Sequence, residues 1–179
     1  MRKRLLLAAL LLPLGAPLDA ALAPGARAPD FTANGAAAGK PISVHLAAAL
    51  KKGPVVLYFF PAAYTGGCNA EANAFAEALP DFTKAGATVI GMTAGNVDQL
   101  QKFSAEHCAG KFAVAAASPQ VIRGYDVLLQ KPGGGMMTTR TSYVIAPNGR
   151  ILYAHSDMNP AGHVRLTLDA VRKYRQSRR

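Results

Sequence analysis

Two cysteines, Cys68 and Cys108, are the only thiols in 179 residues. Cys68 closes the segment Pro61-Ala62-Ala63-Tyr64-Thr65-Gly66-Gly67-Cys68, and apolar residues at helical spacing follow it (Ala72, Phe75, Ala76, Leu79). A thiol is thereby expected on the first turn of a helix. Unpaired backbone N–H groups and the positive end of the helix dipole favour an anion there. The chemistry on offer is nucleophilic attack by a thiolate. An unperturbed cysteine is only about 3% thiolate at neutral pH. Lowering such a thiol to a pKa near 6 takes roughly 3.4 kcal/mol of preference for the anion. A helix end supplies at most about 2 kcal/mol, so a cation has to join it. An arginine some 4 Å away would supply about 4 kcal/mol at an effective dielectric near 20.

The elements that must hold this thiol can be read from the hydrophobic pattern. Gly/Ala/Pro-rich sequence up to Pro41 reads as loop and short edge structure, and Val44–Leu50 as a short helix. Val55–Phe60 is a β-branched and aromatic run between two prolines, the pattern of a strand buried on both faces. The spacing then predicts a helix from Cys68 to about Lys84 with a kink at Pro80. A second buried strand is expected over Ala87–Thr93, and then a helix capped by Asn96 that carries Val97, Leu100, Phe103 and His107. Val114–Ala117 reads as strand, Gln120–Tyr125 as a helical turn, and Lys131–Gly135 as a flexible loop. Thr141–Ala146 and Arg150–His155 flank Pro147-Asn148-Gly149, a hairpin signal in which Asn-Gly supplies positive φ angles. Ala161–Arg175 closes the chain as a helix. Strands alternating with helices, then a hairpin and a last helix, make an α/β fold with a central mixed sheet flanked by helices.

The composition narrows the function classes. About half of the residues are hydrophobic and 17% charged, which suits one domain with a real core. Two cysteines exclude a disulfide framework and a four-cysteine metal site. One disulfide, one reactive thiol or two inert core residues stay open. Residues 1–23 pair Arg2-Lys3-Arg4 with a short leucine-rich run and a small-residue exit, the pattern of a secretory signal peptide. Export to the periplasm or beyond is therefore expected, with residues 24–179 as the working domain and no stable membrane insertion. The net charge of +10 invites a nucleic-acid reading, but much of it lies at the two ends. Arg165, Arg172, Lys173, Arg175, Arg178 and Arg179 make a basic C-terminal helix, and no nucleic-acid partner is expected.

Pro61-x-x-x-Thr65-x-x-Cys68 resembles the active-site signature of the peroxiredoxins, and its surroundings extend the match. Ala28-Pro29-Asp30-Phe31 looks like the family's opening, and Val55–Phe60 like its strand into the active site. Glu71 falls where the family often has an acid, and Arg140-Thr141-Ser142-Tyr143-Val144-Ile145 looks like its later arginine-strand segment. The likeness is nearest to the bacterioferritin comigratory protein, or peroxiredoxin Q, branch. One departure is Gly66, where that branch usually has proline.

The resemblance implies a thioredoxin-like fold and a thiol-dependent peroxidase that reduces hydrogen peroxide or alkyl hydroperoxides through a Cys68 sulfenic acid. Within that reading Thr65 aligns thiolate and peroxide, Pro61 shields the pocket, and Arg140 stabilises the charge. No metal or cofactor is implied. The scattered His45, His107, His155 and His163 lack ligand spacing and read as surface or structural groups. The partners expected are a peroxide and a thioredoxin-like or other thiol reductant, with the protein a monomer or homodimer. A lowered thiol pKa alone gains little, because the roughly 30-fold rise in thiolate is offset by a roughly 13-fold loss of nucleophilicity. Orientation and transition-state stabilisation must supply most of the acceleration.

Where many relatives place a second cysteine five residues after the first, this chain has Asn73. A second version of the branch places it on the helix that here ends at Cys108. Cys108 then either resolves Cys68 as a disulfide, or is an inert residue of a one-cysteine enzyme. Two other classes share the scaffold: an exported thiol–disulfide exchange protein and a non-catalytic binding module. The first needs a second cysteine within Asn69–Asn73, which is absent. The second does not explain Pro61, Thr65, Cys68 and Arg140 together.

Overall fold

The computed structural model describes residues 21–130 and 135–178. Its centre is a seven-stranded mixed sheet in the order β2-β1-β5-β4-β3-β8-β9. The strands are β1 (Thr32–Ala37), β2 (Lys40–His45), β3 (Val55–Phe59), β4 (Thr88–Thr93), β5 (Ala113–Ala116), β8 (Thr141–Ile145) and β9 (Ile151–Ser156). β3, β4 and β5 run parallel, and the remaining pairs are antiparallel. β6 (Leu128–Gln130) and β7 (Met136–Thr138) form a separate two-stranded ribbon. The helices are α1 (Leu46–Leu50), α2 (Gly66–Lys84), α3 (Leu100–Glu106), α4 (Pro119–Gly124) and α5 (His163–Gln176).

Strand β3 shows why this layout forms. Its five residues are all buried, and successive side chains point to opposite faces. Val56, Tyr58 and the following Phe60 enter one core with α2, α3 and α5; Val55, Leu57 and Phe59 enter the other with α1 and α4. A strand apolar on both faces can only be central, and it is. This is the expected thioredoxin-like fold, with a mixed sheet covered on both sides.

Several local expectations are corrected. Sequence up to Pro41 belongs to a β1–β2 hairpin, with Pro41 on the edge strand where its missing N–H costs no ladder bond. Asn96 does not cap a helix by its side chain. It stands at φ 54° ahead of a single 3₁₀ turn, Val97–Gln99, and its amide donates to Ala63 O instead. In the β8–β9 connection Gly149 alone has a positive φ (78°), and Gly149 N–H donates to Ala146 O. The turn is thus the three-residue kind with a bulge, and the register shifts at Val144/Ile145. Helix α2 continues through Pro80, the position at which a kink is expected. Proline cannot donate to the carbonyl four residues back, and Lys111 Nζ takes over that acceptor, Ala76 O, at 3.0 Å. The proposed flexible loop lies outside the described residues except for Gly135, and so do the first twenty residues of the expected signal. Leu22 N–H donates to Tyr143 OH. No described helix is long and apolar enough to cross a membrane.

Candidate active site

Strand β3 delivers Phe60 and Pro61 to the C-terminal end of the parallel strands, and the chain turns there into α2. Pro61 is buried, and its carbonyl accepts from Thr93 Oγ1 at 2.9 Å. Thr138 Oγ1 donates to Phe60 O at 2.6 Å, so the strand end is held from two sides. Thr65 is extended (φ −106°, ψ 144°) and precedes the helix; its hydroxyl donates back to Ala62 O at 3.0 Å rather than capping the helix. The hydroxyl's lone pairs are left to accept. Cys68 is the third residue of α2 and 1% exposed.

A cation stands beside the thiol. Arg140 Nη2 donates to Cys68 Sγ at 3.4 Å. At an effective dielectric near 20, an anion at that distance from a guanidinium is attracted by about 5 kcal/mol. Gly67 makes the approach fit, because a Cβ there would stand 3.2 Å from Arg140 Nη2. The other guanidinium nitrogens are committed elsewhere: Nη1 donates to Glu71 Oε2, and Nε to Met158 O at 2.9 Å. Arg140 is only 4% exposed. Burial alone would favour its neutral form, but the Glu71 carboxylate and Cys68 sulfur outweigh this and raise its pKa.

Glu71 is one turn along α2 from Cys68 and 1% exposed. Burial raises its pKa to about 7, with Arg140 opposing the rise. Its second oxygen, Oε1, has no hydrogen-bond partner and lies 3.7 Å from His163 Nδ1. His163, at the start of α5, is fully buried between Ser142 Oγ (2.8 Å from Nδ1) and Asp157 O (2.9 Å from Nε2). Burial lowers its pKa to about 4, so the ring is neutral, with its Nε2 proton donated to Asp157 O. Nδ1 then accepts from the Ser142 hydroxyl, which takes up its one lone pair, so Glu71 Oε1 beside it stays without a hydrogen-bond partner.

Tyr58 lies in the same core, its ring stacked 4.3 Å from Phe75 and its hydroxyl unpartnered. Burial first, then Cys108, Glu71 and Cys68, push its pKa well above the ordinary value.

The structure therefore brings Cys68 and Arg140 into direct contact, with Thr65 and Pro61 on the loop between β3 and α2. Cys108 comes from a different element. It follows α3, is fully buried, and has its pKa raised to about 12 by burial. Both sulfurs are free thiols in one apolar cluster. Glu71 was visible in sequence as an acid of the first turns and as a match to the family pattern, but its ion pair with Arg140 was not. His163 and the Met158 carbonyl carried no signal, because only the packing of the β9–α5 connection brings the ring beside Glu71 and the carbonyl to Arg140.

Comparison with known proteins agrees with this site. The chain matches the model of the AhpC/TSA family over residues 24–154. It is 28% identical over 123 residues to peroxiredoxin Bcp of Xanthomonas campestris, covering 67% of this chain and 77% of that one. It is 33% identical over 147 residues to chloroplastic peroxiredoxin Q of Arabidopsis thaliana, covering 80% of this chain and 64% of the relative. The crystal structure of peroxidoxin BcpB from Mycobacterium tuberculosis superposes with a TM-score of 0.75 at 27% identity, over 84% of this chain and 96% of that one. With its thiol at the head of α2 against a buried arginine, the chain belongs to the AhpC/TSA family, close to the Bcp and peroxiredoxin Q branch, and is a peroxiredoxin, a thiol-dependent peroxidase.

Proposed function

We propose that Cys68 is the sulfur that attacks the peroxide and that Cys108 resolves the product. The observation that carries this reading is the 3.4 Å contact between Cys68 Sγ and Arg140 Nη2 at the N-terminus of α2. The thiolate attacks the OH oxygen of ROOH, the O–O bond breaks, and RO⁻ leaves and takes a proton from solvent. The products are Cys68–SOH and ROH. Arg140 and the helix N-terminus face the charge that moves from sulfur to oxygen, and the Thr65 hydroxyl holds the peroxide in line. Pro61 covers the loop. Cys108 thiol then displaces water from the sulfenic acid, giving a Cys68–Cys108 disulfide that a dithiol reductant returns to two thiols.

Hydrogen peroxide and alkyl hydroperoxides are the substrates we assign. A solved structure of the bacterioferritin comigratory protein of Xanthomonas campestris, 25% identical with a TM-score of 0.68, is described for its alkyl peroxide reduction activity. The basic, leucine-rich start of the sequence supports export, with peroxide removal outside the cytoplasm and a reductant of that compartment.

Stopped-flow consumption of peroxide by the reduced protein tests the first step. Wild type is expected to react orders of magnitude faster than free cysteine, and Cys68→Ser not at all. A wild-type rate equal to that of free cysteine removes the assignment. Mass mapping of protein oxidised with one equivalent of peroxide tests the second step, and Cys108→Ser should then stop at sulfenic or sulfinic acid.

A further inference from the structure

We infer that Tyr64 is a positioning residue for disulfide formation: it ties the Cys68 loop to the end of α3 that presents Cys108, and release of that tie sets how fast the two sulfurs meet. The inference rests on the reading of Cys108 as the resolving thiol.

Tyr64 has φ 61°, a left-handed backbone that a bulky aromatic residue keeps only where its surroundings hold it. Its hydroxyl donates to Glu106 Oε2 at 2.8 Å. Its ring meets Phe103 and His107 edge-on, at 5.6 and 5.3 Å between centroids. Lys102 Nζ stands 5.7 Å from the ring centre and 3.8 Å from Glu106 Oε1. These four partners, spaced three and four apart, form one face of the last turns of α3. Cys108 is the next residue. The start of the same helical segment is also tied to the loop, through Asn96 Nδ2 to Ala63 O (2.8 Å) and Ala63 N–H to Gly95 O (3.3 Å).

Beyond Cys108 the chain reverses through two left-handed residues, Ala109 (φ 49°) and Gly110 (φ 66°). The Cys108 N–H still donates to Phe103 O at 3.3 Å. Both thiols are buried and unbonded, and a disulfide brings its sulfurs to about 2 Å, so the packing around them has to open before the bond forms. Cys68–SOH and Cys108–SH then give the disulfide and one water. The Tyr64 ring covers Phe103 and His107, the residues flanking the turn that Cys108 has to leave. Its contacts join the two pieces that move, and they are lost on opening. Because they are made only in the closed form, weakening them lowers the barrier to resolution while the arginine contact at Cys68 stays intact.

The test uses the full-length protein and the variants Tyr64→Phe, Glu106→Ala and the double variant. Rapid-quench mass mapping follows sulfenic acid, sulfinic acid and the Cys68–Cys108 disulfide, and alkylation of Cys108 in a Cys68→Ser background measures opening directly. One exposed hydrogen bond is worth about a two- to tenfold change in opening. Each single variant is expected to form disulfide and expose Cys108 faster by that factor. Each should also need proportionally more peroxide to reach sulfinic acid, and Glu106→Ala should keep the wild-type rate for the first step. The double variant should be no faster than the faster single one, because both remove the same bond. Unchanged or slower disulfide formation and alkylation, or effects that multiply in the double variant, overturn the role of Tyr64. A wild type that passes to sulfinic acid without any disulfide overturns the resolving role of Cys108, and this inference with it.

Discussion

Cys68 Sγ and Arg140 Nη2 lie 3.4 Å apart although 72 positions separate them in the chain. The same guanidinium also holds Glu71 and the carbonyl of Met158, so the cation that faces the thiol is fixed on three sides.

Replacing Arg140 should cost rate and stability together. Loss of a donor aimed at developing charge typically slows catalysis by about 10²–10³-fold, which is the effect expected of Arg140→Ala in stopped-flow assays. Arg140→Lys keeps the charge but cannot make the three directed bonds at once, so its rate should fall between the two. Arg140→Ala also breaks a buried ion pair by removing one partner, and without the guanidinium, burial holds the proton on Glu71 to still higher pH. Denaturant unfolding should then report a loss of about 3–5 kcal/mol.

Glu71 and His163 should cancel in the pH dependence of stability. Glu71 keeps its proton up to about pH 7 in the fold, against about 4.5 for the free side chain. Its contribution is full below pH 4.5 and is lost as pH rises to 7. His163 resists protonation down to about pH 4 in the fold, against about 6.5 when free. Its contribution is full above pH 6.5 and is lost as pH falls to 4. Between about pH 4.5 and 6.5 the slopes are equal and opposite, near 1.4 kcal/mol per pH unit each. Glu71→Gln should unmask the histidine slope, so that the variant gains up to about 3 kcal/mol relative to wild type between pH 4.5 and 6.5. Parallel curves for variant and wild type would refute the pairing.

Gly66→Pro should stabilise the protein and slow its resolution. Gly66 is the first residue of α2, a position that favours proline, and a Cβ there would meet nothing within 4 Å. Thr65 before it is already extended, as a residue preceding proline must be. The unfolded chain loses freedom, which should appear as about 0.4–1 kcal/mol of added stability in thermal unfolding. A stiffer loop opens less often, so disulfide formation should slow while the first reaction with peroxide persists.

Gly91→Ala should destabilise. Gly91 on β4 faces Tyr58 across the β3–β4 pairing, and a Cβ there would stand 2.8–2.9 Å from the ring atoms Cζ, Cε1 and Oη. The ring is stacked on Phe75 and Phe60 and has no free direction to move. Overpacking of this kind costs about 1–3 kcal/mol, readable as a lower denaturation midpoint with an unchanged m value.

Central elements were legible where one short span carried the signal. Val55–Phe60 announced a strand buried on both faces, and Thr65–Cys68 with its apolar spacing announced the head of a helix. The β1–β2 hairpin was not legible, because Gly, Ala and Pro give an edge hairpin little hydrophobic alternation. Asn96 misled for a similar reason: the residue type suits a helix cap, but the loop bearing Ala63 offered its amide a different acceptor.

By itself the sequence determined that a lone thiol would stand at the start of a helix after a central strand, since strand period, helix period and helix polarity act over a few residues. It also showed that a cation had to be recruited, because a helix end is too weak an electrostatic partner. Only the tertiary structure decided what surrounds that cation. Glu71 and the Met158 carbonyl come to Arg140, and His163 to Glu71, through the packing of α2, β8 and the β9–α5 connection. The structure likewise decided that Cys108 shares an apolar cluster with Cys68 while remaining a separate, buried thiol. Burial and charge pairing depend on which distant segments meet, and that information lies in no single stretch of chain.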